Sequence, residues 1–340
     1  VNTTPRFDLV TGAEASDLVS QVATGCFQRS SWVRAVAAAR GRAHELIVVR
    51  ARDGRGANAW LPGAVHRRFG LSVFEAMPMG GYGGWVAEPT LSAEDEERLT
   101  RAWLAHAHWP IVLLTGVPGR PDRLPAPVHV RGLSGGWAAR FQPRVFETHR
   151  LDISGSDADL LQRVRPRMRS YLRSFEQLGF EFSIANHPAG LRECHRWYRE
   201  GSQAWQAAAT SLMPEGFFTA LSGDGVSEAW TVLWQGQVVG AALFLVGRDE
   251  VQYQASGTQR IDAPVSAMEA LLWQAARHHR DRGRSVLNLG ASEGLESVAR
   301  FKEKFGAKPT TYLRVAYLLP AWRRCGEGLA TAPGVAEPAP

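Results

Sequence analysis

Apolar residues recur along this chain in two rhythms, and the switches between them lay out the elements. The stretch Cys26 to Ala39 (CFQRSSWVRAVAAA) repeats apolar positions at helical spacing. ELIVVRARDGRGANAWLPGAVHR gives two strand-like runs around a DGRG turn. A glycine-rich loop follows at Met79 to Trp85 (MGGYGGW). LSAEDEERLTRAWLAHA predicts a helix with an acidic first turn, and IVLLTGV a short buried strand after it. Val117 to Pro143 is rich in proline and glycine and reads as loops and a crossover.

The pattern then begins again. THRLDIS enters a strand, and PRMRSYLRSFEQLG reads as a helix with Pro166 in its first turn and Gly179 at its end. FEFSIA is a strand and LRECHRWYREGSQAW a helix. AWTVLW and QVVGAALFLVGRDEVQYQAS predict a three-strand meander with GRDE as its last turn. VSAMEALLWQAARHHRDRG is an amphipathic helix of about five turns, and SVLNLG after it implies a parallel crossover. A lysine-bearing helix and the strand TYLRVAYLL close the series. Each half therefore holds an antiparallel meander, helices and a late parallel pair. The fold class is α/β with mixed sheets, in two related domains, 1–145 and 146–325. An Ala/Gly/Pro-rich tail, 326–340, is expected to be disordered.

Composition narrows the setting. The 340 residues suit about two domains, and 45% hydrophobic with 21% charged residues is ordinary for a globular protein. No apolar run approaches the ~18 residues of a membrane span, and VNTTPRFDLV lacks the basic and apolar regions of a signal peptide. Cys26, Cys194 and Cys325 form neither a disulfide framework nor a metal spacing. These features predict a reduced, cytoplasmic, monomeric protein without integral membrane contact. The formal charge of +6 suits polyanions such as tRNA or nucleotide phosphates. Metal sites are not expected. His106 and His108 point to different sides of a helix, and His278 and His279 suit the dipole at a helix end.

The lysines change the picture. Lys302, Lys304 and Lys308 are the only ones in the chain, all within RFKEKFGAKP, while the other basic residues are arginine. On a helix, Leu295, Val298, Phe301 and Phe305 form one apolar stripe. Lys302 lies at its edge, Lys304 nearly opposite, and Gly306 fits a left-handed terminator. Two roles are open to Lys302: a stem on apolar neighbours with its ammonium in water, or a compact charge placed against a developing oxyanion.

NLGASEGLESVARFKEKFGAKP resembles the C-terminal signature of the Fem-like peptidyltransferases, in the GNAT acyltransferase superfamily. SSWVRAVAAARG, PMGGYGG, HRLDIS with its arginine-rich helix, VVGAALFLVGRDEVQYQASG and the long helix match in order, so the resemblance spans about residues 25 to 318. It implies two tandem GNAT-like domains and acyl transfer from aminoacyl-tRNA to an amine, with no cofactor beyond that co-substrate. The acceptor would be a peptidoglycan precursor or a peptide-type natural product, small or nucleotide-linked. Phe301 and Lys302 match the family's phenylalanine–lysine pair near the reacting ester. Tyr253 and Tyr82 match tyrosines near the acceptor, and Trp205 is a candidate platform there.

Arg165, Arg169 and Arg173 are spaced i, i+4, i+8 in one stripe able to neutralise phosphates, with Lys304 and Lys308 adding charge. By the resemblance Arg169 could instead hold a nucleotide-linked acceptor. The stretch expected to cradle CoA pyrophosphate, Gln259 to Ala267, has no glycine, and Pro264 removes a donor. That favours tRNA over an acyl-CoA or carrier-protein thioester. A non-catalytic RNA- or nucleotide-binding module is the third reading. Asp262, Glu269 and Glu293 are acidic neighbours of these motifs, and spacing singles out none of them as a general base.

Overall fold

The structure is a computed structural model that describes residues 5–319 apart from 23–24, 53–57, 69, 89, 120–123, 126–141, 205–211, 224 and 293. The DGRG turn, most of the 117–143 stretch, Trp205, Glu293, Cys325 and the tail lie outside the described residues. The chain divides into two units: Val1–Ala15 with Glu45–Val145 and Leu313–Pro340, and Ser16–His44 with Phe146–Tyr312.

In the first unit β1 (Arg6–Thr11), β2 (Glu45–Arg52), β3 (Asn58–Arg68) and β4 (Leu71–Glu75) form an antiparallel run. The short β5 (Val86–Ala87) pairs with β3. Next to β4 lies β6 (Ile111–Thr115), parallel to it from Val73↔Ile111 onward. In chain order the helices of the N-terminal half are α1 (Gly12–Val22), α2 (Ser30–Arg40) and α3 (Ala93–His106); α3 belongs to the first unit, while α2 and the greater part of α1 belong to the second. Ser92 caps α3 by accepting from the Asp95 amide, and the acidic first turn complements the helix dipole. Phe74, Trp103 and Trp109 fill the core of this unit.

The second unit repeats that order. It holds β7 (Arg144–Asp152) from Phe146 on, α4 (Asp157–Arg163), α5 (Pro166–Leu172), β8 (Phe180–Ala185), α6 (Pro188–Ala204) and α7 (Glu215–Ala220). β9 (Ser227–Trp234), β10 (Gln237–Val246), β11 (Glu250–Thr258), α8 (Ala267–Arg280), β12 (Val286–Asn288) and α9 (Glu296–Lys304) follow. β8, β9, β10 and β11 are antiparallel neighbours, β12 is parallel to β11, and β7 is antiparallel to β12. Strand β13 (Lys308–Leu318) pairs with β6 through Arg314–Leu318. Strand, two helices, three antiparallel strands, helix and parallel strand thus occur twice in sequence.

Several elements depart from the sequence expectations. The N-terminal strand and helix, β4 and α7 carry too short or too mixed a pattern to stand out. The helix expected up to Gly179 ends at Leu172, and a single 3-10 turn, Phe175–Leu178, precedes Gly179. Phe175 there is drawn into the core with Phe180 and Phe182. Gly257 is required by packing, because a Cβ would sit 1.7 Å from the Trp197 carbonyl of α6.

Candidate active site

β11 and β12 pair over three residues only, from Glu250↔Val286 to Gln252↔Asn288. A buried polar network fixes the place where they part. Thr148 donates to Asn288 Oδ1, Asn288 Nδ2 donates to Glu250 at 2.9 Å, and Arg150 pairs with the same carboxylate at 2.6 Å. The Gly290 amide donates to Asn288 Oδ1 at 2.9 Å, and Gly290 then turns the chain at φ +77.

Lys302 enters at this turn from α9. It is 4% exposed, and its ammonium donates to the carbonyls of Gly290 at 2.8 Å and Ala291 at 2.7 Å. The snorkelling role open to it from helix geometry is therefore not the one observed: the charge is held inside, on main-chain dipoles. Leu295 corrects the expected stripe. It is the residue before α9 and is 52% exposed, so Phe301 and Phe305 carry the packing on the core, with Val298 half-buried. Phe301 is half-buried against Phe305, ring centroids 5.7 Å apart. Gly306 follows at φ +86, and a Cβ there would meet the Arg163 carbonyl at 2.5 Å. Both conformation and space demand glycine, and the close approach docks the end of α9 on the turn between α4 and α5.

His149, on β7, completes the cluster. Its amide donates to the Gly290 carbonyl at 3.1 Å, and its ring Nδ1 lies 3.3 Å from Ser292 Oγ. Burial first, and the Lys302 charge second, hold its pKa below the ordinary histidine value. His149 and Ser292 were not singled out in the sequence. The HRLDIS and NLGAS runs that carry them were visible, but burial beside a lysine was not.

The remaining candidates separate. Tyr253 sits on β11 with its hydroxyl bonded to Ser256 and 3.6 Å from the Met268 sulfur, and burial pushes its pKa up to about 12. Its phenol thus faces α8 and the core. Tyr82 belongs to the first unit and is buried. Trp205 is outside the described residues. The arginine stripe is not one solvated face. Arg169 turns inward and donates to the carbonyls of Gln162 at 2.9 Å and Val164 at 3.0 Å. That makes it an anchor of the α4–α5 turn. Arg163 likewise holds the Asp152 and Ser154 carbonyls. Arg165, Arg167 and Arg173 stay exposed, as do Lys304 and Lys308. The Arg165 amide donates to the Lys304 carbonyl at 2.9 Å, and its guanidinium lies 3.5 Å from Glu303, which brings these two cations side by side.

The first turn of α8 is closed by a capping box: Ser266 accepts from the Glu269 amide at 3.2 Å, and Glu269 accepts from the Ser266 amide at 2.8 Å. Glu269 is thereby committed to the helix end. Asp262 is exposed. His279 corrects the dipole reading. It is fully buried, and burial with neighbouring cations lowers its pKa to about 3, so it brings no charge to the helix end at neutral pH. No helix among the described residues is long and apolar enough to cross a membrane.

Residues 162–303 match the acetyltransferase (GNAT) domain family. Among solved structures the chain is similar to FemX, at 14% identity over 95% of this chain and 99% of that one, with a TM-score of 0.62. A conserved protein of unknown function from Bacteroides thetaiotaomicron is similar at 10% identity, over 88% and 95% of the two chains, with a TM-score of 0.52. No curated protein matches the chain in sequence. Residues 162–303 of the second unit thus match a GNAT domain, the strand order of the first unit repeats that of the second, and the fold over nearly the whole chain is similar to that of FemX.

Proposed function

We propose that this chain, an acyltransferase by its domain family, moves an aminoacyl group from aminoacyl-tRNA to the amine of a small or nucleotide-linked acceptor. The observation that carries the reading is the Lys302 ammonium fixed by two carbonyls where β11 and β12 part. The acceptor nitrogen attacks the ester carbonyl, the new C–N bond forms, and the ester C–O bond breaks. The ribose hydroxyl leaves with the proton that the amine loses. An ester is already activated, so orientation and charge stabilisation are what the protein must add. A fixed cation at the reacting carbonyl supplies the second, and Phe301 beside it shapes the approach of the donor.

The choice of donor rests on the start of α8. A CoA pyrophosphate needs free amides and a positive helix end. Here Glu269 occupies that end with its own carboxylate, and Pro264 lies in the preceding loop. Exposed Arg165, Arg167, Arg173, Lys304 and Lys308 offer a tRNA backbone an alternative landing surface. The test supplies purified protein with charged tRNA or acyl-CoA and follows label onto a panel of amines. Transfer from tRNA that needs Lys302 is expected. Transfer from acyl-CoA alone would overturn the donor, and nucleotide binding without transfer from either would overturn the enzymatic reading.

A further inference from the structure

We infer that Glu228, His278 and His279 form a binding site for a divalent cation of the zinc class, tying the last turn of α8 to β9. His279 is 0% exposed, and neither ring nitrogen has a hydrogen-bond partner among the described residues. Its ring lies between Trp230 and Phe244, with centroids 5.9 and 6.0 Å away. A buried imidazole with both nitrogens unsatisfied is rare in a folded core and calls for a missing partner.

The partner's position is marked by the neighbours. Glu228 Oε2 stands 3.6 Å from His279 Nε2. That is too long for a good hydrogen bond. It is close to the spacing of two ligands on one zinc, about 3.3 Å for bonds of ~2.0–2.1 Å at a tetrahedral angle. One ligand atom from each of the three residues falls within 4.8 Å of the others. Two such bonds span at most ~4.2 Å, so closing the site takes a small turn of His278, whose half-buried ring gives up its contact with Arg282 to make it. Trp230 Nε1 donates to Glu228 Oε2 at 2.9 Å and orients the carboxylate, as partners behind metal ligands do.

His278 already presents a lone pair. Its Nδ1 accepts from the exposed Arg282 at 3.1 Å, and a cation would take the arginine's place there. Two imidazoles and one carboxylate, with a fourth position open beside half-exposed Glu228, suit zinc better than the oxygen-seeking magnesium or calcium. Arg282 and Arg284 face the same corner and oppose a cation, while Glu228 and Asp281 favour one. Affinity is therefore set largely by how readily Arg282 withdraws. The site shares no residue with the Lys302 cradle and stands independently of the proposed acyl transfer.

The test uses the full chain, stripped with EDTA, titrated calorimetrically with Zn2+ and followed by the visible spectrum of Co2+. One equivalent bound at low micromolar affinity or better is expected, with a low-coordinate cobalt spectrum. His278→Ala and Glu228→Gln change half-buried positions, and each should keep the fold, which thermal unfolding checks. Each should weaken binding about tenfold or more. Arg282→Ala should tighten it, whereas His106→Ala with His108→Ala should leave it unchanged. No stoichiometric uptake would mean that a buried water serves His279 instead, and would overturn the site. Uptake indifferent to His278→Ala and Glu228→Gln would overturn it equally.

Discussion

Lys302→Met keeps a stem of similar volume and removes the ammonium. The stability cost follows from the two carbonyls it leaves. Gly290 keeps the His149 amide as a donor at 3.1 Å, and Ala291 is an exposed residue that water can reach. The loss is therefore nearer that of one charged hydrogen bond than two, about 1.5–3 kcal/mol. Against an ordinary stability of about 5–15 kcal/mol, the protein stays overwhelmingly folded at room temperature. Loss of a fixed group that meets developing charge is a different magnitude, about 10²–10³ in turnover, or roughly 3–4 kcal/mol at the transition state. Urea unfolding measures the first quantity, and single-turnover transfer from charged tRNA measures the second. Because a fully folded variant cannot lose a hundredfold by unfolding, the two are separable. Lys304→Ala, at an exposed position on the far face, should leave stability near wild type and, at saturating charged tRNA, the transfer step as well, its effect being confined to donor affinity. A folded Lys302→Met that turns over within about threefold of wild type would make the buried ammonium a structural strut and refute its catalytic role.

Gly306→Ala forces a side chain into φ +86 and against the Arg163 carbonyl at 2.5 Å. It should cost about 1–3 kcal/mol from the backbone conformation alone, read as a lower urea midpoint. Arg165→Glu should weaken tRNA binding and reduce its salt slope while leaving stability unchanged. Arg169→Ala should do the reverse, because its guanidinium anchors the Gln162 and Val164 carbonyls. His149 has a pKa below its unfolded value. Its contribution to stability is therefore complete above about pH 6.5 and falls as the pH drops through the folded pKa. Urea midpoints at pH 7 and pH 5 should drop less in His149→Gln than in wild type. An identical drop would show that His149 does not gain its proton in that window.

The sheet-forming runs and long helices were legible because their periodicity survives in one dimension. AWTVLW, QVVGAALFLV and EVQYQAS became β9, β10 and β11, and VSAMEALLWQAARHHR became α8. Lys302 was legible by its rarity and its place beside the apolar stripe of its helix. Its cradle was not, since Gly290 and Ala291 act through main-chain carbonyls that no side-chain pattern announces. Arg169 misled for a related reason. Spacing placed it on a stripe with Arg165 and Arg173, but α5 is only seven residues long and the carbonyls of the preceding turn capture its guanidinium. His279 shows the same limit: two adjacent histidines at a helix end read as charge suited to the helix dipole, and only packing against Trp230 and Phe244 reveals a neutral buried ring.

The repeat itself bears on the donor. In each half a helix runs between the fourth antiparallel strand and the parallel strand after it, and each begins with serine and an acid three residues on. Ser92 with Asp95 opens α3, and Ser266 with Glu269 opens α8. The serine of each pair accepts from the amide three residues on, Glu269 also accepts from the Ser266 amide, and both acids set a negative charge at the positive end of the dipole. A pyrophosphate at either helix end would meet that carboxylate, so on the proposed reading the phosphates of the donor are held by side chains. Side-chain cations on a solvated face bind phosphates through counterion release, whereas amides in a helix-end cradle do so through fixed, short hydrogen bonds. Donor affinity should accordingly fall steeply with salt and respond additively to charge reversal at Arg165, Arg173 and Lys304. A donor whose binding ignores salt and these reversals, yet is lost when the Glu269 side chain is replaced by a longer one, would place it at the α8 end after all.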